Sequence, residues 1–422
     1  MDSEKTSRIP RFFRLKEEEK IKIIENFSDL TEEEIVLVKE GFLKKEIRNS
    51  ISENVIGSFS LPYSIATNFL INNKDYFIPM VTEEPSVVAA ASYGAKLTRD
   101  GGGIFAENLE DLMIGQIYFT NLKDSQSLKI QILENKEEII NFANKQDSVL
   151  GKLGGGVKDL EIKLFDGENI DSSLRIHLLI DVKDAMGANI VNLISEKTAL
   201  FIENLVGIKS TLKIVSNLAN RRLVKVKALV TKEALEREGF DTEEVIDNIV
   251  KINSIGKNDI YRSITDSKGV LNGMGAVALA TGNDWRALEA GAYGYSLTET
   301  YKPLVDWKKT NEGLAGEMVV PVVVGIIGGI IQSHPLSKIS LKILKVKTAQ
   351  ELAQIIASVG LAQNLAALRA LASEGITRGH REVWAENVAM SAGIDRINIE
   401  KISQQMIKEN NISIKRAKEI ND

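Results

Sequence analysis

Two adjacent carboxylates, Glu83 and Glu84, stand directly before Pro85 and a run of small and β-branched apolar residues in VTEEPSVVAAASYGAKL, Val81 to Leu97. Proline suits the first position of a helix, which puts Ser86 in the first turn. The apolar run predicts a buried helix that stops at the glycines of RDGGG. Acids at a helix start favour the positive end of its dipole. That accounts for one acid at the rim and leaves the second, beside a buried helix, without a role. In SKGVLNG, Lys268 lies in a small, apolar neighbourhood that suits an electrophile for a developing oxyanion, with Asn272 four residues on. Asp284, in ATGNDWRA, is predicted to sit buried in a helix and to need a cationic partner. A purely structural Lys–Asp pair meets the same demand. In EGITRGHREVWAEN, His380 follows Gly375 and Gly379 where a core helix gives way to a polar tail. A hinge there can deliver a general acid, although a lone histidine is more commonly a surface residue.

The composition limits what other chemistry is available. The 422 residues contain no cysteine, which excludes disulfides, thiolate nucleophiles and cysteine-ligated metals. The three histidines, His177, His334 and His380, are far apart in sequence and form no ligand pair, so no metal is expected. A net charge of -5 offers no footprint for nucleic acid or an anionic membrane. The first twenty residues lack the apolar core of a signal peptide. The most apolar segment, MVVPVVVGIIGGII, is too short to span a bilayer and is interrupted by Pro321 and three glycines. A cytoplasmic location is expected.

The elements that must position these residues follow from periodicity. Residues 1 to about 60 read as charged helices, with a capping box at Thr31 and Glu34. An Asn-Asn turn near residue 72 predicts a hairpin leading into the helix after Pro85. From Gln116 to Leu223, strand candidates in IGQIYF, DLEIKLF, SLRIHLLIDV and STLKIVSNL alternate with helix candidates in KEEIINFANK and NIVNLISEKTALFIENLV. Two βαβ-like units of this size predict a compact α+β domain inserted into a larger one. After Arg222 the texture reads as helical again, with one long helix through GAVALATGNDWRALEAGAYGYS and another ending near Gly375. The polar remainder predicts a small helical appendage.

Two glycine-containing motifs bear on cofactor binding. NGMGAVA, Asn272 to Ala278, has the form G-x-G-x-x-A, but no buried strand precedes it. Close helix packing explains it better than a dinucleotide loop. DVKDAMGANIVN joins a strand to a helix, and such a junction exposes backbone N–H groups to a phosphate or a nicotinamide ribose. A helix start capped by Asp184, with Met186, Gly187, Ala188 and Asn189 as bystanders, fits the spacing equally.

Taken jointly, ENVIG, EEPSVVAAASYGAKL, DAMGAN, SKGVLNG, ATGNDWRALEAGA, VGLAQNLAALRAL and EGITRGH resemble, in order and spacing, class II 3-hydroxy-3-methylglutaryl-coenzyme A (HMG-CoA) reductase. The resemblance runs from Arg8 into the C-terminal appendage. One departure is ITDSKG, where the family often has a histidine and an asparagine before the lysine. The resemblance implies an α+β fold with a large, mostly helical dimerisation and substrate domain (1–109 and 221–375). A small, non-Rossmann, ferredoxin-like cofactor domain (110–220) is inserted in it, and a C-terminal helical flap (376–422) follows. It also implies a homodimer with its active site between subunits, with a hexamer of three dimers as further assembly.

The implied reaction interconverts HMG-CoA with mevalonate and coenzyme A through two hydride transfers, by way of mevaldyl-CoA and mevaldehyde. By resemblance, Lys268 stabilises oxyanions, Glu84 supported by Glu83 protonates mevaldehyde, Asp284 tunes both, and His380 protonates the coenzyme A thiolate. Ser86, Arg262, Asn272, Glu53 and Asn54 would contact substrate, and Arg11 or Arg14 coenzyme A. Asp184, Met186, Gly187, Ala188, Asn189 and Asn217 would contact the nicotinamide cofactor. Asp147 in NKQDSVL stands where the NAD-using members carry an aspartate, implying NADH rather than NADPH. A lyase acting on the same thioester would need a metal cluster and a synthase a cysteine. A non-catalytic coenzyme A-binding protein would have no use for Lys268, Glu84, Asp284 and His380 together.

Overall fold

The computed structural model describes residues 6–41, 43–297, 302–373, 375–395 and 397–421, with backbone alone over 376–383. Two sheets organise it. The larger is built from β1 (Tyr63–Ile71), β2 (Lys74–Val81), β3 (Ile104–Asp111), β8 (Arg222–Thr231), β9 (Val305–Lys309) and β10 (Gly313–Pro321), in the order β2-β1-β3-β8-β10-β9. The smaller takes β4 (Met113–Phe119), β5 (Gly156–Gly167), β6 (Ile170–Asp181) and β7 (Leu212–Val215), in the order β5-β6-β4-β7. All pairings within it are antiparallel. Helices lie between β4 and β5 and between β6 and β7, so the connectivity is that of a split βαβ unit, as in ferredoxin-like layers.

The β1–β2 hairpin is closed by Asn72 and Asn73, both at positive φ (48° and 62°), the conformation that a two-residue hairpin turn requires. The expected capping box is present: Glu34 N–H donates to Thr31 Oγ1 (3.3 Å), and Thr31 N–H to Glu34 Oε2 (2.8 Å). The helix Val87–Thr98 is mostly buried and ends at positive-φ Gly102, as predicted, but it begins later than expected. Pro85 and Ser86 lie outside it, and Ser86 is its N-cap in a left-handed conformation (φ 72°).

The region after Arg222 is not all helical. β8, β9 and β10 form half of the large sheet, and their signal was the alternation Val224, Val226, Ala228, Val230 with Lys225 and Lys227 between. The predicted long helix is two: Ile260–Ala280 and Trp285–Leu297, separated by Thr281 to Asp284 with Gly282 at φ 71°. The Ile260–Ala280 helix packs along Ala349–Ala372. Gly273 of NGMGAVA lies within the first of these, and a methyl group there would sit 3.0 Å from Val359 Cγ1 on the second. That is helix packing, not a dinucleotide loop. Ala349–Ala372 is long and apolar enough to cross a membrane, yet it is mostly buried in the large core. Three further helices, Ile376–Ser391, Ile399–Lys408 and Ile414–Asn421, gather a separate small core around Ala389, Ile402 and Met406.

Candidate active site

β2 ends at Val81 and delivers Glu84 to the entry of the Val87–Thr98 helix. There Glu84 Oε2 accepts a hydrogen bond from Lys268 Nζ at 2.8 Å, across 184 residues of sequence. Lys268 lies in the Ile260–Ala280 helix, and Asn272 follows one turn on, on the same face. Both members of the Glu84–Lys268 pair keep access to solvent, with side-chain exposures of 38% and 55%. An ammonium and a carboxyl held together within reach of solvent can stabilise negative charge on a substrate oxygen and exchange a proton with it. The Ser86 hydroxyl, beside this pair in the chain, makes no capping bond. Glu83 is exposed, and the Glu84 backbone N–H donates to Thr82 Oγ1 (3.1 Å).

Asp284 is not buried in a helix. It precedes the Trp285–Leu297 helix, accepts from the Arg286 and Ala287 N–H groups (both 3.1 Å), and pairs with the Arg286 side chain. An N-capping carboxylate gains its partners from the helix start and the neighbouring guanidinium, so it does not need burial beside a lysine. Among the described residues it makes no contact with Lys268 or Glu84. What fixes this break between helices is its neighbour Asn283, buried, which exchanges hydrogen bonds with Gly325 in both directions (2.8 and 3.1 Å).

A carboxylate that the sequence did not single out lies close to this pair. Glu289 projects from the Trp285–Leu297 helix toward the Ile260–Ala280 helix, where a methyl group on Gly275 would lie 3.6 Å from its Oε1. Gly275 is two turns beyond Lys268. Burial pushes the Glu289 carboxyl up, Lys268 opposes the rise, and Glu83 adds to it. Its signal was weak: one Glu in a helix otherwise rich in Ala and Gly. Arg262 donates from Nη2 to Asp266 Oδ1 (2.7 Å), one turn along the same helix. Glu53 and Asn54 lie in an exposed stretch after the Lys45–Ile51 helix, without a described contact to this cluster. Arg11 and Arg14 are also exposed. His380 falls in the Ile376–Ser391 helix, which also contains Gly379, and its side chain lies outside the described residues.

Asp184, Met186, Gly187, Ala188 and Asn189 lie together in the loop and helix start that follow β6. Gly187, at φ 102°, is the N-cap of the Ala188–Val206 helix and provides no side-chain cap, so the first N–H groups of the helix stay free for an anion. A methyl group on Gly187 would lie 2.8 Å from Val182 Cγ2. Asp184 is not the cap of this helix. Its Oδ1 accepts instead from Ala349 N–H (2.8 Å), at the start of the long core helix. Its oxygen is thereby taken up in joining the loop to the large core, which leaves the helix start to Gly187.

Arg222 reinforces this join. Buried, it pairs through Nε with Asp111 (2.7 Å) and donates to the carbonyls of Ala185, Met186 and Val324. Asp147 caps the short Ser148–Lys152 helix, accepting from Val149 and Leu150 N–H through Oδ1 alone. Its Oδ2 has no partner among the described residues. That short helix packs toward the end of β6 through Gly155, which abuts both Leu150 and the Asp181 carbonyl. The carbonyl of exposed Asn217 packs on Gly291, one turn beyond Arg286 and Ala287 in the Trp285–Leu297 helix.

Comparison with known proteins gives this geometry its context. The family profile of hydroxymethylglutaryl-coenzyme A reductase matches residues 16–385. The chain is 46% identical to a 3-hydroxy-3-methylglutaryl-coenzyme A reductase of Archaeoglobus fulgidus, over 98% of this chain and 94% of that protein. A probable reductase of the same kind from Borreliella burgdorferi is 35% identical, over 80% of this chain and 77% of that protein. Among solved structures, the reductase of Streptococcus pneumoniae superposes with a TM-score of 0.83 at 34% identity, over 97% of this chain and 98% of that one. The class II enzyme from the same organism, bound to NADPH in open conformations, gives 0.82 at 36% identity, over 86% and 99%. The chain belongs to the hydroxymethylglutaryl-coenzyme A reductase family, and its reaction is the conversion of HMG-CoA to mevalonate.

Proposed function

We propose that Lys268 and Glu84 form the reacting centre of this reductase, and the observation that carries the reading is their 2.8 Å contact with both side chains open to solvent. The bound nicotinamide supplies a hydride at each of two stages. In the first, the thioester carbonyl becomes a tetrahedral oxyanion, which the Lys268 ammonium stabilises. The carbon–sulfur bond then breaks, and His380, carried by the C-terminal helices acting as a flap, protonates the leaving thiolate. In the second, mevaldehyde is reduced beside the same ammonium, and Glu84 gives its oxygen a proton. Asp284, held by Arg286, acts on this pair through its charge. Arg262 clamps the free carboxylate of the substrate, and Ser86 and Asn272 hydrogen-bond the rest of the acyl group.

The free N–H groups after Gly187 suit a pyrophosphate, and the unpartnered Asp147 Oδ2 suits the ribose 2′-hydroxyl of NADH. A carboxylate there repels a 2′-phosphate. A relative binds NADPH, so the preference rests on Asp147 alone. The small sheet with its helices, about residues 110–220, is the cofactor domain, and the large sheet with the core helices holds the acyl group. The exposed Glu53 and Asn54 precede a stretch in which Ile56 and Phe59 stand open to solvent. Burial of this stretch against a second copy brings Glu53 and Asn54 to the partner's cleft, so the homodimer is the active unit, with hexamers as its further assembly. The enzyme works in the cytoplasm.

The test uses two substrates. His380→Ala is expected to cut HMG-CoA reduction by about 10²–10⁴ while sparing reduction of free mevaldehyde, which has no thiolate to protonate. Equal loss of both reactions refutes the assignment of His380.

A further inference from the structure

Asp266 is 4% exposed, yet it is ionisable and takes no part in the reaction as described. Both of its oxygens are engaged. Oδ1 accepts from Arg262 Nη2 (2.7 Å), and Oδ2 accepts from Asn364 Nδ2 (3.0 Å), on the long core helix. Asn364 is fixed in turn, because its Oδ1 accepts from Trp307 Nε1 (2.8 Å). The Trp307 backbone N–H donates to Asn253 Oδ1 (3.1 Å), and Asn253 Nδ2 donates to the Val305 carbonyl (2.9 Å). The chain of bonds thus runs from β9 through three buried side chains to a single guanidinium nitrogen. The Arg262 side chain keeps 22% of its surface exposed.

We infer that Asp266 is a positioning residue for the substrate carboxylate: it holds Arg262 by one nitrogen so that the remaining N–H groups face the acyl group in a fixed orientation. The inference rests on the reading of Arg262 as the carboxylate clamp. A flexible arginine loses rotamer freedom when it binds, and an arginine already held by Asp266 has lost it beforehand. The arrangement is sensitive to pH. Burial pushes the Asp266 carboxyl up to about 6, against the opposing pull of Arg262 and Asn364. Among the described residues, the charged group that opposes the rise is Arg262, on its own helix, and the packed core helix contributes the neutral Asn364. Protonation below about pH 6 removes the charge-assisted bond and releases the guanidinium.

The experiment measures KM and kcat for free mevaldehyde, which carries the carboxylate but no phosphate, between pH 5 and 8. In the wild type, KM is expected to rise about tenfold as pH falls through 6, while kcat changes little. Asp266→Asn is expected to have the raised KM at every pH, with no inflection. In a Trp285→Phe/Trp384→Phe background, Trp307 emission should titrate near pH 6, and that transition should vanish in Asp266→Asn. Arg262→Gln keeps the two ideas apart. If it leaves KM unchanged, Arg262 is no clamp and the underlying reading falls. If it raises KM while wild-type KM stays flat from pH 5 to 8, the clamp stands and the role of Asp266 is overturned. The wild-type profile needs no variant to fold.

Discussion

Lys268→Ala is expected to remove most of the activity and almost none of the stability. Among the described residues the ammonium makes one ion pair, with Glu84, and both side chains are more than a third exposed. An exposed pair of this kind contributes at most about 1 kcal/mol, and solvent screening lowers that further. Removing the lysine also leaves Glu84 and Glu289 without their nearby cation, a repulsion of similar small size. For a chain of 422 residues, a change of about 1 kcal/mol moves a thermal midpoint by roughly 1 °C. Catalysis should respond on another scale. Both half-reactions develop negative charge on an oxygen at this spot, and loss of one such donor costs about 10²–10³ in rate. The assays are thermal unfolding and the steady-state oxidation of reduced nicotinamide, with HMG-CoA and with mevaldehyde as separate substrates. Activity within a few-fold of wild type on either substrate would refute the role of Lys268. A midpoint lowered by many degrees would instead show that the pair is structural.

The opposite pattern is expected at Arg222. Arg222→Met strands Asp111 and three carbonyls, at a cost of about 3–5 kcal/mol, or roughly 3–6 °C in a melting experiment. An unchanged midpoint would mean that the join between the two sheets does not depend on this guanidinium. At Asp147, kcat/KM is expected to favour NADH in the wild type, and Asp147→Ala should shift the ratio about tenfold toward NADPH, whose phosphate Lys145 and Lys152 would then attract. A ratio that already favours NADPH, or that Asp147→Ala leaves alone, counts against the reading.

Local chemistry made much of this protein legible from its sequence. The Thr31–Glu34 capping box, the Asn72–Asn73 hairpin and the alternating strands and helices of the small sheet are set by residues within a few positions of each other, and each was found where expected. The joint set of motifs carried the family, because seven short matches in order constrain a chain far more than any one does. The start of Val87–Thr98 and the break before Trp285 were misplaced although each carries a local mark, EEPS before Val87 and TGND before Trp285, because the small apolar runs beside them read as continuous helix. The strands after Arg222 were hidden by neighbouring helical texture, although their alternation was present.

Only the tertiary structure could decide partnerships. Nothing near Glu84 in sequence says that it faces Lys268, or near Asp184 that it holds the start of the core helix. A carboxylate's partner is whichever donor the fold brings within about 3 Å, and that depends on helix packing hundreds of residues away. The same holds for Glu289 and Asp266: their residue types promise a charge, and burial between packed helices decides how readily that charge takes up a proton.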